Sequence, residues 1–209
     1  GTGTALSGAT LVDASDFAAG QALWLGHNGG TDAEILLGAG NDSLSFGTNS
    51  GAVTVTGGEG NETVVGGSAA DSIVGGAGTD SVDAGSGNDM VVGETGNDTL
   101  HGQNGNDTVL GGAGVDSLSG GAGTDSLVGA TGNDTLDGGA GNDTLDAGAG
   151  NDSIVANNGA DVVIAAAGAD TIDAASAGTT NVDAGVDNDS IDFGANLAAG
   201  DTVDGGTGT

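Results

Sequence analysis

The chain has 209 residues, 47 of them glycine, with 30 acidic residues and neither lysine nor arginine, giving a formal charge of −30. That field argues against nucleic acid and anionic membrane surfaces as partners, and no apolar run is long enough to span a bilayer as a helix. With 36% hydrophobic residues but only 2% aromatic ones, the composition suits one elongated domain with a thin aliphatic core, not a large globular one.

In chain order, residues 1–26 carry no repeat and hold the single tryptophan, Trp24, together with Leu11, Val12, Phe17, Leu23 and Leu25. This segment is expected to be a cap or junction over the first coil, the competing reading being a partner-binding hydrophobic patch. Residues 27–56 read as irregular first repeats, with Asp42 in the acidic place. From Gly57 to Asp173 the phase is strict. The units beginning at Gly111, Gly120, Gly129 and Gly138 read GGAGVDSLS, GGAGTDSLV, GATGNDTLD and GGAGNDTLD, a consensus of G-G-x-G-x-D-[ST]-U-x with U aliphatic. The sixth position is acidic thirteen times in succession: Glu62, Asp71, Asp80, Asp89, Asp98, Asp107, Asp116, Asp125, Asp134, Asp143, Asp152, Asp161 and Asp170. The U position runs from Val64 to Ile172 without a polar residue. Glu94 and Gln103 replace the second glycine, and Ala165-Ala166-Ala167 removes three turn residues at once. Residues 174–209 read as degenerate repeats in which Asp189 and Asp201 resume the pattern, and the sequence stops within a unit, as a piece of a longer protein would.

Six glycine-rich residues make a turn and three make a strand whose middle side chain points inward, so two units complete one coil of a flattened parallel solenoid. Coils stacked about 4.8 Å apart pair strand with strand and close a thin core between two sheets. Acids two repeats apart then lie one above another, Asp71 to Asp161 along one edge and Glu62 to Asp170 along the other. Such ladders of like charge repel. A divalent cation between coils removes the repulsion, and calcium suits a turn of carboxylates and backbone carbonyls, taking six to eight oxygens in flexible geometry. Magnesium keeps its waters, and zinc wants His or Cys, of which the chain has only His27 and His101. No EF-hand is present: Asp187-x-Asp189 lacks the glycine and terminal Glu of that loop. The alternative is a solvated turn surface, but ordinary turn preference would mix Asn, Ser and Asp at the sixth position.

The pattern resembles the RTX family of hemolysin-type calcium-binding nonapeptide repeats over roughly residues 27–209. The resemblance implies an all-β, right-handed parallel β-roll with two repeats per coil. It places calcium in the turns at Asp42, Glu62, the aspartates from Asp71 to Asp170, Asp189 and Asp201. It also implies secretion from a Gram-negative-type bacterium through a type I channel. Without metal the composition is that of a disordered chain, so binding and folding are expected to be one event.

The outward strand positions divide the two sheets. One carries Val74, Val92, Leu110, Val128, Asp146 and Ile164, with Met90 and Val162 in the neighbouring row; the other carries Val65, Asp83, His101, Ser119, Asp137, Val155 and Asp173. The first face is apolar and is expected to pack against another copy or another segment of the same secreted chain, although β-branched residues also simply suit strands. Three functions follow in order: an extracellular structural protein of a surface layer, filament or matrix; a calcium-binding folding and export module of a larger secreted toxin, enzyme or adhesin; and an ice-binding solenoid. The last lacks a regular Thr or Asn ladder at the third position. Catalysis is not expected, because neither histidine has a partner spacing that suggests a triad and the narrow repeat leaves no pocket.

Overall fold

The computed structural model describes residues 11–13, 24–26, 32–47, 50–175, 178–195 and 199–208, the first two segments as backbone strands alone. Most of the 1–26 segment and His27 therefore lie outside the described residues. Within them, 21 strands alternate between two sheets, one of 11 strands and one of 10, and all pairings are parallel. The chain is an all-β parallel solenoid with two nonapeptides per coil. Leu11–Asp13 pairs with Ala33–Leu36 in one sheet and Trp24–Gly26 with Ser43–Ser45 in the other.

The aliphatic position stacks on itself. Ile73, Val91, Val109, Leu127, Leu145 and Val163 form one column and Val64, Val82, Leu100, Leu118, Leu136, Ile154 and Ile172 the other, all essentially inaccessible. Each side chain meets its counterparts above and below in the next coils, so the core exists only through stacking.

The strands are longer than the sequence reading gave. Between Ser72 and Ala149 each spans six residues, and a second side chain per repeat turns inward, at the first position of the following unit. Where that position is alanine, as at 84, 147, 156 and 165, the methyl is fully buried in the same cluster. Insertions go into the turns and leave the register intact. Ile35 lies opposite Val55 in the irregular first repeats, a longer step along the chain than from Val91 to its partner Val109 in the regular block.

The turns treat their glycines unequally. At the second position Glu94, Gln103, Ala130 and Ala166 all hold positive φ, between 75 and 80°. Side chains are tolerated there at a cost in backbone strain. Ala130→Gly is therefore expected to raise stability in calcium by roughly 0.5–1 kcal/mol, read as a higher thermal midpoint; an unchanged or lower midpoint would count against strain at this position.

Candidate metal centre

The acids do not line an exposed edge. Asp42, Glu62 and every aspartate from Asp71 to Asp170 at the sixth position are between 0 and 5% exposed. Their backbone explains why. The carbonyl of each accepts the N–H of the residue after the acid in the next coil, as Thr108 N–H to Asp89 O and Ser117 N–H to Asp98 O, both 2.8 Å. The sixth position is thus held in the sheet ladder, and its side chain folds back into the turn.

One carboxylate oxygen closes a second ladder. Asp89 Oδ1 accepts the N–H of Asp71, Asp107 Oδ1 that of Asp89, and Asp125 Oδ1 that of Asp107, each at 2.8 Å. On the other edge Asp80, Asp98, Asp116, Asp134, Asp152 and Asp170 do the same in turn, starting from the N–H of Glu62. The other oxygen is left over. Oδ2 of Asp80, Asp89, Asp98, Asp107, Asp116, Asp125, Asp134, Asp143, Asp152, Asp161, Asp170 and Asp189, and both oxygens of Glu62, are buried without a hydrogen-bond partner. Buried carboxylate oxygens without partners carry a large desolvation cost.

These oxygens face others. A point one Cβ bond from the Gly120 α-carbon is 2.5 Å from Asp125 Oδ2 and 2.7 Å from the carbonyl oxygen of Gly138 in the next coil. The equivalent point at Gly93 is 2.3 Å from Asp98 Oδ2 and 2.5 Å from the Gly111 carbonyl. Acidic and carbonyl oxygens therefore converge between coils. Burial, and after it the neighbouring carboxylates of the same ladder, pushes Asp89, Asp98, Asp134 and Asp143 up to about 6 from 3.8. Burial followed by the Asp80 and Asp42 charges raises Glu62 to about 8. Asp107, Asp116, Asp125, Asp152, Asp161 and Asp170 are also raised, with burial the main cause.

Several sites differ from the ladder. Asp71 has both oxygens engaged, Oδ1 by the Val53 N–H and Oδ2 by the Gly67 N–H, at 2.8 and 2.9 Å. In the preceding coil the sixth place on this edge is held by Val53, not an acid. Asp189 and Asp201 are half-buried and join the ladder, accepting the N–H groups of Asp170 and Thr180 at 3.0 and 2.9 Å. His101 lies on the outer face of strand Thr99–Asn104, between Asp83 and Ser119 of the neighbouring coils.

A further set of residues escaped the sequence reading. Asparagines at the fifth position form an outer ladder in the opposite direction. Asn61 Oδ1 accepts the N–H of Thr79, Asn97 that of Val115, Asn106 that of Thr124 and Asn151 that of Ala169, at 2.8–2.9 Å. Asparagine satisfies the turn N–H without adding charge beside the acids.

Among the described residues no three His, Cys, Asp or Glu side chains converge on one metal position. A cation here must draw on backbone carbonyls as well as carboxylates, which is calcium chemistry and not that of zinc. The orphaned oxygens and the facing carbonyls fit it. Asp80 and Asp89 through Asp170, with Glu62, would hold it together with the turn carbonyls, and it would supply the positive charge that the chain lacks.

A search of curated proteins and of solved structures finds no match to the chain. The model of the RTX calcium-binding nonapeptide repeat matches in four copies, at residues 56–91, 85–118, 119–154 and 147–180. Those matches span more than half of the sequence and coincide with the stacked acidic turns, and the chain belongs to the RTX calcium-binding nonapeptide repeat family.

Proposed function

We propose that this solenoid is a secreted structural protein that folds where calcium is abundant and assembles with copies of itself through the outer face of its 11-stranded sheet. The observation that carries the reading is a row on that face. Val74, Val92, Leu110 and Val128 stand in register on four successive strands, and Met90, 49% exposed, lies beside them. The row is uncharged until Asp146. On the opposite sheet the corresponding row contains Asp83, Asp137 and Asp173. With no cation anywhere in the chain, two acidic faces repel, and copies can approach most readily through the neutral one. Low calcium before export would keep the chain unfolded and passable, and high calcium outside would order it.

Replacing Val92, Leu110 and Val128 together by Thr keeps strand preference while removing apolar surface. In sedimentation at millimolar calcium, the native chain is expected to form large species, and the variant to need at least about tenfold higher protein concentration, since each buried methyl pair contributes on the order of 1 kcal/mol. Both should fold at the same calcium concentration. Equal assembly of the two would remove the row as an interface. A native chain that stays monomeric in calcium would favour the export and folding module of a larger secreted protein.

A further inference from the structure

The two acidic columns are not equivalent. One runs Asp42, Glu62, Asp80 and onward to Asp170 and Asp189 with an acid in every coil. The other runs from Asp71 to Asp161 and then meets Thr180, before Asp201 restores the acid. Thr180 occupies the sixth position: its N–H donates to Asp201 Oδ1 at 2.9 Å, and the following residue, Asn181, donates to Asp161 O at 2.8 Å. The sheet ladder therefore passes through the break undisturbed.

The charge does not. Thr180 is 1% exposed, and its Oγ1 is buried without a partner, at the sixth position where the acids from Asp89 to Asp161 on this edge carry an orphaned carboxylate oxygen. On one side of it lies Asp161, whose Oδ2 is also without a partner. Both inter-coil spaces that border Thr180 thus lose one anionic ligand. Calcium affinity in oxygen sites follows the count of charged ligands and the rigidity of the site. The coil length changes here too. Val163 pairs with Val182 and Val182 with Val203, each a longer step along the chain than the Val91 to Val109 pairing of the regular block, so both flanking turns carry insertions.

We propose that Thr180 divides the calcium column on this edge, so that residues 174–208 order as a separate unit at higher calcium than the block 57–173. This rests on calcium being the ion that the turns take. The C-terminal coils then act as a calcium-sensitive segment, closed where the ion is plentiful and open where it is scarce, while the main block stays folded.

Hydrogen exchange resolved by position, on the full chain titrated with calcium, tests this. The Ser126 and Thr135 amides report the main block, and the Ala184 and Val186 amides, bonded to Asp204 O and Ala166 O, report the coils around the break. The second pair is expected to gain protection at about fivefold or more higher calcium. Thr180→Asp should bring the two midpoints together, and Thr180→Val should leave them apart. Should Thr180→Asp misfold, Asp125→Thr offers the converse, introducing a second, earlier division. One midpoint for all amides in the native chain, or merging in Thr180→Val, would overturn the division while leaving calcium-driven folding intact. No calcium-dependent protection anywhere would overturn both.

Discussion

Gly114→Ala is expected to abolish the calcium-ordered state. A Cβ at this fourth position would lie 1.5 Å from the Gly96 carbonyl oxygen and 2.5 Å from its carbon, in backbone with φ of 151°. Nothing in that contact is a flexible side-chain end, so the coils must separate or the turn must unwind. Gly96 and Gly132 meet the same carbonyl column at 1.4 Å, and Gly141 meets the corresponding column of the other edge at 1.4 Å. Strain and forced repacking together cost on the order of 3–6 kcal/mol, and a thin stacked core has little reserve. At the second position five side chains, Glu94, Gln103, Ala130, Asn157 and Ala166, already sit at positive φ, whereas at the fourth position every residue from Gly78 to Gly168 is glycine. Circular dichroism in millimolar calcium should show loss of strand signal. Native-like strand content and melting would mean that the coils do not stack as closely as described.

Removing calcium at neutral pH is the second large effect, and its pH dependence has a definite sign. Burial raises the carboxyls of Asp89, Asp98, Asp134 and Asp143 in the metal-free fold to about 6, and that of Glu62 to about 8. A group with a raised folded value stabilises the fold fully below its unfolded value and loses that contribution as pH rises through the folded one. In chelator the chain is therefore expected to be compact near pH 4, to lose structure between about pH 4 and 6, and to be expanded at neutral pH. Each ionised, unpaired carboxylate among those four then costs on the order of 3 kcal/mol. Calcium replaces the proton as the partner of the same oxygens, so the calcium midpoint should rise as pH falls through 6. A size that stays constant from pH 4 to 8 in chelator would show that the buried carboxylates do not control folding.

Much of this was legible in the sequence because the repeat writes the geometry in one dimension. A period of nine with an aliphatic residue at Val64 through Ile172 is sufficient to stack two columns, and the same period places Val92 and Leu110 on one outer face and Asp83 and Asp137 on the other. What was not legible lacked a hydrophobic or charge signal. The second inward position is filled by Gly or Ala, as at Gly111 and Ala147, and neither registers as core in a pattern of hydrophobicity. The asparagine ladder from Asn61 to Ala169 looks like ordinary turn composition until the direction of each Oδ1 is known. The inward turn of the acids follows from their place in the sheet ladder, whereas the period alone shows that they stack and not how deeply their side chains are buried. Val53 and Thr180 take the sixth position in coils of irregular length: counting by nine shows that residues 174–183 lack an acid there, but the lost phase hides that Thr180 stands in its place.

The most direct test of the central claim, that calcium in the turns holds the stack together, is sedimentation velocity of the purified chain at neutral pH. Calcium would be titrated from chelated to millimolar conditions, with magnesium run in parallel. A slow, expanded species that becomes compact or assembled in calcium, with magnesium far less effective, is the expected result. A particle that is already compact in chelator at neutral pH, or that responds equally to both ions, would contradict it.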